Sequence, residues 1–247
     1  MKRLDQELVE RGLCASREKA KCAVMAGTVR VNGQTARKPS DSIKPDDSLT
    51  LDAPEKFVSR GGHKLEHALE HYRLNVTGLI AIDLGSSTGG FTDCLLQRGV
   101  GKVFAVDVGH GQLAWKLRHD ARVVVMEKTN ARQLTAEKFP PPFVLADVIV
   151  VDCSFISLRK ILPPAVALLR ASGKIVALIK PQFEAGKNEV DKGEGVITDP
   201  AIHERVLREL EEFVRQQGEL LWRGTIESPL LGPAGNKEFL VLIEKTS

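Results

Sequence analysis

Between residues 79 and 245 the chain alternates short apolar runs with stretches of helical periodicity. Six runs are rich in β-branched residues: LIAIDLG (79–85), KVFAVDVG (102–109), RVVVME (122–127), ADVIVVDCSF (146–155), KIVALIKP (174–181) and EFLVLIEK (238–245). Ahead of them GHKLEHALEHY (62–72) puts Leu65, Ala68, Leu69 and Tyr72 on one helical face. Such alternation predicts an α/β domain, a mainly parallel sheet with helices on both faces. The first fifty residues follow another rhythm. RLDQELVERGL (3–13) sets Leu4, Leu8, Val9 and Leu13 on one face, with Gly12 as a stop signal. A second helix follows Ser16, a candidate N-cap, with Ala20, Ala23 and Val24 inward and Gly27 at its end. VRVNGQTA (29–36) alternates and carries Asn32-Gly33, a strong hairpin signal. LDAPEKFVSRGG (51–62), with its proline, charges and glycine pair, marks a boundary. The chain divides into a small α+β domain with its linker, residues 1–58, and an α/β domain, residues 59–247.

At 247 residues, 43% hydrophobic and 27% charged, both cores can be filled. The net charge is only +3, so any affinity for nucleic acid rests on local clustering. That clustering exists, because residues 1–38 hold nine basic side chains against four acids. Cys14, Cys22, Cys94 and Cys153 form no C-x-x-C pair, which argues against a zinc knuckle or a disulfide framework. MKRLDQELVERGL lacks the continuous apolar core of a secretory signal, and no stretch approaches membrane-spanning length. The expectation is a cytoplasmic protein without a membrane partner; the sequence sets no oligomeric state.

The first apolar run leads into DLGSSTGGFTDCLL (83–96). Its glycines do not have the G-x-G-x-x-G spacing of a dinucleotide turn. Gly85 is followed by the arc Ser86-Ser87-Thr88 and then by Gly89 and Gly90, which suits a ligand with a carboxylate, an amino group and a sulfonium better than a pyrophosphate. Asp107 ends the second strand about twenty residues on, where an acid can hold both ribose hydroxyls of a nucleoside. Asn130 and Ala131, after the third strand, could flank an adenine. Together these favour S-adenosylmethionine over NAD. The bland alternatives are a tight helix-packing turn for Gly89 and Gly90 and an N-cap or surface role for Asp107.

Four charged residues from distant parts of the chain fall on the same sheet edge. Asp152 and Lys180 end strands, Glu238 opens a final strand that reaches this edge if it runs antiparallel, and Lys64 opens the helix that feeds the first strand. Cys153 reads as a buried strand-end thiol. His63, His67 and His71 read as a solvated helix face rather than a metal site. PQFEAGKNEVDKGEGVITDP (181–200) reads as a mobile substrate loop.

RGGHKL, DLGSSTGGFTDCLL, VDCSF, IKPQFE and NKEF, in this order, resemble the TlyA (hemolysin A) family of ribosomal RNA 2′-O-ribose methyltransferases, whose catalytic domain is similar to that of FtsJ-type enzymes. The N-terminal module resembles the small RNA-binding S4-like domain. The resemblance implies a Rossmann-like domain with a seven-stranded type of sheet whose last strand is antiparallel. It implies a catalytic set of Lys64, Asp152, Lys180 and Glu238, with Lys180 at the ribose hydroxyl, Asp152 orienting Lys180, and Glu238 orienting Lys64 and Lys180. It further implies an S-adenosylmethionine site at Asp83, Gly85, Ser86, Ser87, Thr88, Gly89, Gly90, Phe91, Asp107, Val108, Asn130 and Ala131. RNA contacts are expected at Arg3, Arg17, Lys19, Lys21 and Arg30, with cytidine of ribosomal RNA, free or in ribosomal subunits, as the partner. A competing class, an RNA-binding or membrane-active hemolysin-like protein without methyltransferase activity, finds no spanning helix or export signal in the sequence.

Overall fold

The computed structural model describes residues 2–52 and 55–246, and the chain splits into two compact units, residues 1–56 and 57–247. In the first unit, strand β1 (Lys2–Arg3) runs straight into helix α1 (Leu4–Glu10). Then come α2 (Arg17–Met25), β2 (Val29–Val31), β3 (Gln34–Thr35), β4 (Ser42–Ile43) and β5 (Leu49–Leu51). The expected apolar face is the core, with Leu4, Leu8, Ala20 and Val24 buried against Val29 and Ile43. Ser16 caps α2, its hydroxyl accepting the Lys19 amide at 3.3 Å. Asn32 and Gly33 both take positive φ, 51° and 80°, and close the β2–β3 hairpin as a two-residue primed turn requires.

The second unit begins with α3 (Gly61–His71), β6 (Ile80–Leu84), α4 (Gly90–Gln97), β7 (Lys102–Val106), α5 (Trp115–Arg118) and β8 (Val123–Met126). It continues with β9 (Ala146–Val151), α6 (Leu158–Ala167), β10 (Leu169–Ile179), α7 (Pro181–Glu184), α8 (Lys187–Lys192), α9 (Pro200–Gln216), β11 (Leu220–Glu227) and β12 (Phe239–Lys245). Seven strands form one sheet in the order β11-β12-β10-β9-β6-β7-β8, a Rossmann-like arrangement. The ladders from β10 through β8 are parallel, while β12 is antiparallel to both its neighbours. Period-two alternation splits the core cleanly between the faces. Ile82, Phe104, Ile149, Ile175 and Val241 enter one cluster, and Ala81, Val103, Val148, Val176 and Leu240 enter the other, beneath α3 and α4.

The seven-stranded sheet agrees with the expectation although one strand lies outside the named runs, and the reading of residues 181–200 needs correction. A seventh strand, β11, lies beyond the six apolar runs; it is a half-exposed edge strand whose register slips between Trp222 and Gly224, which hides its alternation. Residues 181–200 are not a structureless loop, since α7 and α8 form within them. Glu184 ties the segment down, accepting from the Ser157 hydroxyl at 2.6 Å and the Leu158 amide at 2.7 Å. The buried Asn236 side chain holds its other end through the Ile197 amide and the Gly195 carbonyl, both at 2.9 Å.

Gly89 begins α4 at φ 97°, and a Cβ there would lie 2.2 Å from Leu117 Cδ1. Its conformation and its packing both require glycine. Gly89→Ala should therefore cost about 2–4 kcal/mol, combining left-handed backbone strain with overpacking. Thermal unfolding checks this; a midpoint within a degree of the parent would refute it.

Candidate active site

The carboxyl edge of the parallel strands gathers the charged residues because they share strand parity. Asp152 and Lys180 each follow a strand with their even-numbered neighbours Val150 and Leu178 on the α3–α4 face, and Glu238 precedes Leu240 on that face. The β10–β12 register pairs Ile179 with Phe239, so the next residues outward, Lys180 and Glu238, meet at the edge. Lys64 arrives on α3. Tyr72, just past the end of that helix, donates its hydroxyl to the carbonyls of Gly224 and Leu240, at 2.8 and 3.2 Å.

The four charges form two pairs. Lys64 Nζ lies 2.5 Å from Glu238 Oε2, both largely buried, and Lys180 Nζ lies 2.6 Å from Asp152 Oδ1. Lys180 also donates to Ser154 Oγ at 2.8 Å. The expected orientation of Lys180 by Glu238 is absent from the hydrogen bonds and ion pairs of the described residues. Glu238 gives one oxygen to Lys64, and its other, Oε1, is buried with no hydrogen-bond partner. Among the described residues the buried side-chain oxygens left without a partner are Glu238 Oε1, Asp83 Oδ1 and Gln182 Oε1, and of these three residues Glu238 lines the smaller of two cavities at this edge. Buried polar groups are normally satisfied, so the unpartnered Glu238 Oε1 marks a place where a polar group of a ligand belongs.

Two adjoining cavities open here. The smaller, about 270 Å³, is lined by Lys64, Gly85, Ser86, Ser87, Thr88, Gly90, Phe91, Asp152, Lys180 and Glu238, and also by Ser59, Arg60, Ser154 and Pro233. The larger, about 530 Å³, shares Gly85, Ser87, Asp152 and Ser154 and adds Asp107, Val108, Gln112, Asn130, Ala131 and Phe155. Asp107 is oriented by two backbone amides, Ser87 at 2.8 Å and Gly109 at 2.7 Å. Asn130 caps a short 3-10 turn by accepting the Arg132 amide at 3.0 Å.

Two expected cofactor residues lie outside both linings. Gly89 packs against Leu113 and Leu117. Asp83 sits on the α4 face of β6, fully buried, and accepts from the Thr92 hydroxyl at 2.6 Å. Burial pushes its carboxyl up to about 7, with the charges of Asp152 and Asp107 adding to the rise. Gly85, at φ 84°, faces the Asp152 carbonyl, 2.7 Å from where a Cβ would sit. The turn glycines thus let protein pack on protein at the ligand's threshold. Cys153 is only partly buried, and its thiol is pushed up to about 12 by desolvation and by Asp152, which leaves it a poor nucleophile. Sequence reasoning passed over Ser154 and Phe155, though both stand inside the quoted VDCSF; Phe155 is 90% exposed at φ 62°.

Residues 57–245 match the FtsJ-like methyltransferase family and residues 2–49 match the S4 domain. The chain belongs to the FtsJ-like methyltransferase family. It is 49% identical over 240 residues to YqxC of Bacillus subtilis, covering 97% of this chain and 84% of that one. It is 46% identical over 243 residues to the 16S/23S rRNA (cytidine-2'-O)-methyltransferase TlyA of Mycobacterium tuberculosis, covering 97% and 88%. A solved structure from Streptococcus thermophilus, 44% identical, superposes with a TM-score of 0.75 over 100% of this chain and 89% of that one. No helix among the described residues is long and apolar enough to cross a membrane, and none of their side chains group as a metal site.

In the S4 domain ahead of the methyltransferase unit, most expected RNA contacts are already paired. Arg3 and Arg17 both grip the buried Asp5, with bonds of 3.0–3.1 Å, and hold its carboxyl down at about 2. Lys21 pairs with Glu18 at 2.7 Å and Arg30 with Asp52 at 2.9 Å. Lys19, Arg37 and Lys38 are exposed and, among the described residues, carry no ion pair.

Asp83 gives the FtsJ-like unit a pH signature. With its carboxyl near 7 when folded and 3.8 ordinarily, the folded protein keeps a proton that the unfolded chain has lost between those values. Stability therefore falls as pH rises through that window and levels off above it. Asp83→Asn should flatten this slope in scanning calorimetry; an unchanged slope would show that Asp83 titrates as an ordinary acid.

Proposed function

We propose that the protein methylates the 2′-hydroxyl of a ribose in ribosomal RNA, the nucleoside being cytidine, with S-adenosylmethionine as donor. The observation that carries this reading is Lys180, held by Asp152 at 2.6 Å on the cavity that also contains the glycine turn. The relatives' names support the substrate class. The chain's residues fit the donor. Asp107 offers a carboxylate for a ribose diol and Asn130, Ala131 and Ile161 line the space around it. The Ser86–Thr88 arc borders the smaller cavity, and the carboxylate of Asp152 faces both cavities, where a sulfonium is favoured.

When bound, S-adenosylmethionine supplies a methyl carbon made electrophilic by its positive sulfur. The protein's task is to align a weak nucleophile and manage its charge. Lys180 directs a donor to the 2′-oxygen and stabilises the negative charge that grows there as the hydroxyl proton passes to solvent water. Lys64, locked to Glu238, forms a buried ion pair on the same cavity wall. Phe155 presents a free aromatic face on which an unpaired base can stack.

Lys180→Ala should lower turnover by on the order of a hundredfold or more and leave donor affinity intact by calorimetry; retained turnover would remove Lys180 from the chemistry. Asp107→Ala should instead weaken donor binding about tenfold to a hundredfold, the worth of a charge-assisted hydrogen bond.

The S4 domain supplies the RNA platform in this reading, with its unpaired cations as the phosphate contacts. Replacing Lys19, Arg37 and Lys38 by alanine should weaken RNA binding and lower the salt slope by about 0.7–0.9 per lost contact. Binding measured across a salt series that kept its slope would locate the platform elsewhere.

A further inference from the structure

We propose that Ser154 is a positioning residue for Lys180, the second of two acceptors that fix its nitrogen, an inference resting on the methyl-transfer reading above. A lysine side chain ends in a tetrahedral nitrogen on a flexible four-carbon stem. Three positions surround that nitrogen besides its bond to carbon. A single acceptor leaves the nitrogen able to pivot about the contact. Two acceptors leave one direction for the third position, whether it holds a hydrogen or a lone pair. In Lys180 the two are Asp152 Oδ1 at 2.6 Å and Ser154 Oγ at 2.8 Å, both at good hydrogen-bonding distance.

The chain is built to hold this arrangement. Asp152 and Ser154 are two residues apart just past β9, and in an extended segment such residues face the same way. Asp152 is tied to the neighbouring strand by its amide, which donates to the Leu84 carbonyl at 2.9 Å. Phe155 then turns the chain at φ 62°, a conformation rare for an aromatic residue. Beyond the turn, Glu184 takes the Ser157 hydroxyl and the Leu158 amide. Glu184 lies four residues after Lys180, so the loop carrying Ser154 is stapled to the segment that follows the lysine. Ser154 lines both cavities, at their junction, where the direction of the Lys180 nitrogen decides what it can reach.

The test compares Ser154→Ala and Ser154→Thr in the full-length protein, with Lys180→Ala as reference, using ribosomal RNA and methyl-labelled S-adenosylmethionine. Ser154→Ala should lower kcat about 10- to 100-fold, the range for a misplaced catalytic group. KM for RNA and the calorimetric donor affinity should stay within about twofold. Ser154→Thr, which keeps a hydroxyl, should recover most of the loss. Reductive methylation with formaldehyde, followed by mass spectrometry, reads the same contact without turnover: Lys180 should react severalfold faster in Ser154→Ala, with other lysines unchanged. A kcat near the parent's, a threonine variant no better than alanine, or unaltered Lys180 labelling would overturn the inference. If Lys180→Ala is inactive while Ser154→Ala is not, the methyl-transfer reading stands and only the role of Ser154 falls. A parent protein that binds the donor yet leaves ribosomal RNA unlabelled overturns both.

Discussion

The reversal of β12 is the constraint on which the site depends. Six strands of the sheet point one way, and β12, inserted between β10 and β11, points the other. Its first residue therefore meets the last residue of β10, and Glu238 arrives beside Lys180. Were β12 parallel, its start would lie at the opposite edge, roughly 20 Å away at the rise of a strand. The tie from Tyr72 to Gly224 and Leu240 then fixes the α3 end against β11 and β12, which sets Lys64 within reach of Glu238. One change of strand direction thus assembles residues nearly 180 positions apart.

Pairing gives the assembled charges their character. Two cations and two anions balance, so the site acts by direction rather than by a net field. The Lys64–Glu238 pair is the more deeply buried, and removing either partner would strand an uncompensated charge. The Lys180–Asp152 pair is more open, and Asp152 lines both cavities, leaving the third position of the lysine nitrogen for an incoming hydroxyl.

Much of this was legible because strands advertise themselves. The six β-branched runs fix the strand ends, and strand ends fix which residues share an edge, so the convergence of Lys64, Asp152, Lys180 and Glu238 follows from topology. What stayed hidden depends on side-chain partners. Nothing local links Arg17 to Asp5, twelve residues earlier, so part of a stretch that looks like free positive charge is already paired. Asp83 and Gly89 belong to the same motif as the residues lining the cavities, yet parity turns one beneath α4 and packing commits the other to Leu117. β11 escaped notice because its bulge breaks the alternation, and α7 and α8 because helices of 4 and 6 residues are too short to show a period.

The sharing of Asp5 by Arg3 and Arg17 bears on more than charge counting. One buried carboxylate restrains two long side chains, each of which would otherwise sample many rotamers at the surface. Both guanidiniums remain about half exposed, with side-chain accessibilities of 43% and 48%, so each keeps donors for another anion. A side chain already confined has little conformational entropy left to lose on meeting a phosphate. The carboxylate that subtracts a charge from this surface also makes the remaining two-arginine fork stiff before any partner arrives.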